Sequence, residues 1–132
     1  MTREGAAAFA KHYFEVSNDA TESGKLGDLR ALADSTCQTC RRYQGYLHDA
    51  YAGGGHIDGG TLVVTSSVAP PIQGDQVTVT VIGDQKPGEL VDPSGKVKSR
   101  IQAISHGDLE VRLQWTRDRW LVAEIVMFNS RG

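Results

Sequence analysis

Residues 108–128 read DLEVRLQWTRDRWLVAEIVMF, two runs rich in apolar residues on either side of the charged tripeptide Arg117-Asp118-Arg119. In the first run Leu109, Val111, Leu113 and Trp115 share one face of an extended chain, while Glu110, Arg112 and Gln114 share the other. That period of two marks a strand with one side in a core and one in water. Trp120 opens the second run, and so short a connection between strands permits only an antiparallel hairpin.

Upstream, the same strand-rich character reaches back to Gly60. TLVVTSSV (61–68), DQVTVTVIG (75–83) and GKVKSRIQAIS (95–105) complete a set of five expected strands. Turns fall at Pro70-Pro71, Gln73-Gly74-Asp75, Pro93-Ser94-Gly95 and His106-Gly107-Asp108. The last three strands are joined by very short loops, which predicts an antiparallel meander. Gln85 to Gly95, QKPGELVDPSG, reads as an extended hairpin loop with a short strand at Glu89 to Val91.

Before Gly59 the apolar period changes to that of a helix. EGAAAFAKHYFEVSNDAT (4–21) sets Ala6, Phe9, Ala10, Tyr13, Val16 and Ala20 on one face. Ser23-Gly24-Lys25 breaks it, and LGDLRALA (26–33) offers a short second helix. Ser35 and Thr36 can cap a third from Gln38 to Ala52, where Tyr43, Tyr46, Leu47 and Tyr51 recur every three to four residues until Gly53-Gly54-Gly55 stops it. The fold class is therefore α+β, with three N-terminal helices packed on a curved antiparallel sheet of about five strands.

At 132 residues the chain makes a single domain, 1–132, able to bury a core without metal or disulfide support. A formal charge of -2 gives no general attraction to nucleic acid or an anionic membrane. No apolar window is long enough to span a bilayer, and MTREGAAAFA lacks the basic start and apolar stretch of a signal peptide. Because Met-Thr-Arg-Glu runs almost directly into the first helix, as in an excised domain, this leaves localisation open.

The order of elements, and a final hairpin whose last strand opens on Trp120 after a charged tight turn, resembles the cone-shaped nuclear transport factor 2-like (SnoaL-like, cystatin-like) superfamily. Leu29-Arg30-Ala31-Leu32 followed by Ser35-Thr36-Cys37-Gln38-Thr39-Cys40 is similar to a family of actinobacterial secreted lipoproteins of unknown function. That resemblance implies an extracytoplasmic, membrane-anchored domain of the cell envelope. The sequence holds no cysteine before Cys37, so the lipid anchor and its leader would lie upstream of this fragment.

Cys37 and Cys40 are the only cysteines. Structural zinc needs four ligands, and His12, His48, His56 and His106 do not have the usual paired spacing. A thioredoxin-like centre would also put Cys-x-x-Cys at a helix N-terminus, but that helix follows a parallel strand, whereas Cys37 follows a helix. The remaining reading is a disulfide staple in an oxidising compartment.

Domains of the resembled superfamily often hold a pocket between sheet and helices. Candidate lining residues here are Tyr13, Tyr43, Trp120 and Glu124, with Asp34 and His12 also considered. Glu124 is the only charge in LVAEIVMF, and alternation puts it with Trp120, Val122, Val126 and Phe128. Enclosure there would raise its pKa and suit it to acid–base work, whereas a face only partly covered at Glu124, or pairing with Arg112 or Arg100, would make it structural. The structural reading is preferred, since carboxylates are rarely fully buried unless paired. Lys96, Lys98 and Arg100, with Arg112 and Arg117, form a cationic stripe best read as a solvated face. His56 and His106 read as loop residues.

The functional expectation is a non-enzymatic binding or interaction domain of the cell envelope. Its partner would be a small apolar ligand, an envelope protein or, as a homodimer, a second copy. The alternative is a small isomerase, cyclase or hydrolase using Glu124 and a tyrosine. No cofactor, metal or nucleic acid is expected, since no phosphate-binding glycine loop or metal-ligand spacing is present.

Overall fold

The computed structural model of the chain describes residues 1–128. Helix α1 spans Arg3–Ser23, entered where the Thr2 hydroxyl accepts the Gly5 N–H at 2.9 Å and satisfies one of the unpaired amides of the first turn. It ends at Gly24, whose φ of 75° is a left-handed conformation open to glycine. Ala6, Ala10, Tyr13, Phe14 and Ala20 are buried, and the small side chains let α1 lie close across the sheet. Helix α2, Gly27–Ala31, is a single turn anchored by the fully buried Leu29. Helix α3, Gln38–Ala52, starts at Cys37, whose sulfur accepts the Cys40 N–H at 3.2 Å.

Seven strands follow: β1 His56–Gly59, β2 Leu62–Val68, β3 Gln76–Gln85, β4 Gly88–Val91, β5 Val97–Ile101, β6 Ile104–Thr116 and β7 Arg119–Phe128. They form two antiparallel sheets, ordered β2-β3-β6-β7 and β1-β4-β5. The expected α+β arrangement of helices on a curved antiparallel sheet is therefore present. Where about five strands are expected, the described residues hold seven.

The unexpected strand is β1, while β4 is the short strand expected at Glu89 to Val91, begun one residue earlier at Gly88. His56, expected in a loop, pairs with Val91 on β1. The meander also needs correction. GKVKSRIQAIS breaks at Gln102-Ala103, so that β5 pairs with β4 while Ile104 already belongs to β6, opposite Gln85. His106-Gly107-Asp108, expected as a turn, lies inside β6 at a register shift against β3, with His106 at φ 53° and its N–H donated to Asp84 Oδ1 at 2.9 Å. Such bulges bend a strand and sharpen its twist.

The final hairpin forms as expected. Arg117 and Asp118 both have positive φ, 49° and 73°, as a two-residue type I′ turn requires. Trp115 and Trp120 face each other directly and meet edge to face with centroids 5.0 Å apart. The register then shifts between Arg112 and Leu113, leaving Ala123 as the extra residue. Past that bulge the inward positions change parity, so Val122 and Ile125 are both buried.

The core joins α1, Leu29, Cys37, Cys40 and Leu47 to Val77, Val79, Val81, Leu109, Val111, Leu113 and Val122. On the free side of β7 the segment after α2 docks through its backbone. Val122 N–H donates to Leu32 O at 2.9 Å and Asp34 N–H donates to Val122 O at 2.8 Å.

Candidate functional site

A cavity of about 250 Å³ lies between α1, α3 and the sheet. Helical spacing puts Tyr13 and Phe14 of α1 on one wall and Tyr43 and Tyr46 of α3 on another; Leu62, Ile104, Ile125 and Met127 complete it from the strands. Its floor is backbone where Gly83 of β3 and Gly107 of β6 pair directly beside the bulge. Neither position has room for a side chain: a Cβ on Gly83 would meet Val63 O at 2.8 Å and one on Gly107 would meet Ile104 at 3.2 Å.

Most polar groups in the wall are committed to the fold. Asn18 donates to Leu62 O at 2.8 Å and accepts the Leu62 N–H at 2.9 Å, fixing the start of β2. Gln85 Nε2 donates to Gly60 O at 2.6 Å. The Thr39 hydroxyl donates to Ile125 O at 3.1 Å. Thr21 gives its hydroxyl proton to Ser17 O at 2.8 Å, so the close Tyr43–Thr21 contact is Tyr43 donating. Tyr46 Oη lies 3.3 Å from Ser99 Oγ.

Tyr13 differs. It is 3% exposed and makes an edge-to-face contact with Phe14, but its hydroxyl makes no hydrogen bond among the described residues and opens on the cavity. Burial, and secondarily the neighbouring Tyr43, pushes the Tyr13 phenol well above its ordinary range. Burial also raises Tyr43, against the opposing hydrogen bond with Thr21. Both phenols therefore keep their protons at neutral pH.

Of the candidates named from sequence, Tyr13 and Tyr43 are brought together in this wall, whereas Trp120 and Glu124 lie outside it. Trp120 packs on Trp115. Glu124 is carried by the Ala123 bulge away from the face of Trp120 and Val122 to the N-terminus of α3. Its Oε1 accepts the N–H groups of Thr39 and Ile125 at 3.2 and 3.0 Å, and its Oε2 accepts that of Gln38 at 3.2 Å.

Desolvation is the largest single influence on Glu124 and acts upward, but the hydrogen bonds from Ile125, Thr39 and Gln38 outweigh it and leave the pKa lowered. The carboxylate is thus paired, with a helix terminus and not with Arg112 or Arg100. Arg100 instead donates to Glu89 at 2.8 Å. Asp34 accepts from the Thr36 N–H and hydroxyl, each at 3.0 Å, and His12 is exposed.

Cys37 and Cys40 form a disulfide, both sulfurs in the core beside the cavity wall. Among the described residues no group of His, Cys, Asp and Glu is placed to hold a metal ion, and no described helix is long and apolar enough to cross a membrane.

Sequence reading did not find Phe14, Asp108, Gly83 or Gly107 as wall residues. Asp108 is buried in β6 and has an interaction of its own. The only signal for it was a carboxylate next to the glycine of a mistaken turn.

Similar folds occur in solved structures at low sequence identity. The intermembrane space region of the chloroplast protein ARC6 superposes with a TM-score of 0.70 at 12% identity, covering 98% of each chain. A proposed dehydratase of the NTF2-like family from Streptomyces avermitilis gives 0.60 at 15%, over 98% of this chain and 97% of that one. An NTF2-like protein with a cystatin-like fold from Novosphingobium aromaticivorans gives 0.58 at 12%, over 98% and 82%. These likenesses show an NTF2-like fold. No curated protein matches the sequence. Residues 1–125 match the family of unknown function DUF6318, and the chain belongs to that family.

Proposed function

We propose that the domain binds a small apolar ligand in the cavity between α1, α3 and the sheet, without chemistry of its own and outside the cytoplasm. The carrying observation is how the wall's polar groups are spent. Asn18, Thr39, Tyr43, Tyr46 and Gln85 serve the fold, Asp108 has an interaction of its own, and the void is faced mainly by aromatic rings and aliphatic carbon, the usual surroundings of a ligand bound by burial. The enzymatic alternative through Glu124 draws little support, because that carboxylate lies outside the cavity and is engaged at α3.

The Cys37–Cys40 disulfide supports the extracytoplasmic setting, since such bonds persist where thiols are not kept reduced. Attachment through an upstream lipid anchor, and an envelope protein or a second copy as partner, belong to the same proposal. Protease shaving of intact cells should degrade the native protein if this placement is right.

Binding is tested by titrating 2-naphthol into isotopically labelled protein. Saturable amide shifts should centre on Tyr13, Tyr43, Ile104 and Gly107, and Ile104→Trp, which fills the void, should remove them. Shifts scattered over the surface, or none, would reject the reading.

A further inference from the structure

We infer that the cavity selects an uncharged one- or two-ring molecule carrying a single hydrogen-bond acceptor, and that the Tyr13 hydroxyl is its anchor; this rests on the binding reading above. The argument begins with the state of that hydroxyl. A hydroxyl on a buried residue that has no protein partner and keeps access to a cavity is free to bond whatever enters it. Tyr13 is 3% exposed, yet its hydroxyl finds no partner among the described residues and faces the cavity.

The neighbouring phenol shows the contrast. Tyr43 lines the same space and has its proton placed on Thr21. Tyr13 therefore has a proton to donate, and nothing in the wall takes it. A ligand oxygen beyond the hydroxyl, near the ring plane, would.

Size and polarity narrow the class further. A cavity of roughly 150 Å³ accommodates benzene, and this one measures about 250 Å³, so one ring with a substituent, or two fused rings, fits. The surfaces offered to it are flat. Tyr13 and Phe14 meet edge to face, and Tyr43 and Tyr46 lie nearly parallel with centroids 6.4 Å apart, which suits ring contacts over branched aliphatic ones. A charged ligand would lose its hydration against these mainly apolar walls, and an anion would in addition meet the Asp108 carboxylate of the wall as a like charge.

The test uses two molecules of nearly the same shape, acetophenone and α-methylstyrene, in which C=O is exchanged for C=CH₂. Both are titrated by NMR into wild-type protein and into Tyr13→Phe, which removes the oxygen alone. The expected result is that Tyr13→Phe weakens acetophenone by roughly five- to tenfold, the worth of one hydrogen bond, and changes α-methylstyrene by less than about twofold. An intermolecular NOE from the acetyl methyl to the Tyr13 ring should accompany it in the wild type.

Equal weakening of both ligands, or no change in acetophenone, overturns the anchor while leaving the binding site in place. If neither molecule binds the wild type, the binding reading itself falls and the anchor with it. Because the NOE and the wild-type affinities do not depend on the variant, a poorly folded Tyr13→Phe would still leave the anchor open to refutation.

Discussion

Glu124 Oε1 accepts the backbone N–H of Thr39 at 3.2 Å, so a carboxylate from the last strand closes the first turn of α3. Here the unpaired amides and the positive end of the helix dipole coincide. Glu124→Gln keeps an acceptor but removes the charge, and should cost about 0.5–1 kcal/mol at neutral pH, read as a lower urea midpoint.

The same pair sets a pH dependence. The folded-state pKa of Glu124 is depressed below 4.5, so its stabilisation is complete above the unfolded value and lost as pH falls through the folded one. Urea midpoints measured below about pH 5 should fall more steeply in the wild type than in Glu124→Gln. Parallel curves for the two proteins would show that Glu124 is not the titrating group.

Removing the disulfide should weaken the domain without unfolding it. A loop this short is worth about 2 kcal/mol in the chain-entropy model, and most of the core does not depend on the two sulfurs. Cys37→Ala with Cys40→Ala should keep the native NMR dispersion with a reduced urea midpoint. Since both sulfurs are buried, the pair should also resist reduction, with a potential below about -300 mV, as structural disulfides have. A more oxidising value would make it a redox centre.

Leu29→Ala should cost about 2–5 kcal/mol. Helix α2 is five residues long, too short to persist by itself, and Leu29 is its one buried side chain. Amide exchange should show protection lost first across residues 27–34, including the Asp34 bond to Val122.

Gly24→Ala should cost more than about 2 kcal/mol. The left-handed backbone alone penalises a side chain by about 1–2 kcal/mol, and a Cβ there would enter the ring of Tyr51. Tyr51 cannot easily yield, because its hydroxyl donates to Thr21 O at 2.6 Å. Thermal unfolding of this variant beside Gly74→Ala, where φ is also positive but nothing lies within 4 Å, separates clash from backbone strain.

What was legible in the sequence follows from the range of the signal. All three helices could be read because alanines, leucines and tyrosines repeat at helical spacing, and the 108–128 hairpin because apolar and polar residues alternate. Strand β1 could not, since His56, Asp58 and Gly59 are exposed and Ile57 alone is buried. Glu124 was assigned the wrong face because alternation counts residues, and the bulge at Ala123 adds one.

The cavity was legible only at Tyr13 and Tyr43, which helix periodicity could place on an inner face. Its floor depends on Gly83 meeting Gly107 across two strands, a long-range pairing that leaves no local pattern. The unspent hydroxyl of Tyr13 is a matter of where its neighbours' protons go, which no spacing encodes.

The backbone seam between Val122 and the 32–34 segment has a consequence for behaviour at high concentration. A strand at the border of a sheet is a template on which another chain can add, the first step of edge-to-edge aggregation. In β7 that template is occupied: Leu32 and Asp34 use the outward amide and carbonyl of Val122, and the Glu124 side chain and α3 cover the next positions. Fibril growth from this border would first have to peel away the chain that follows α2.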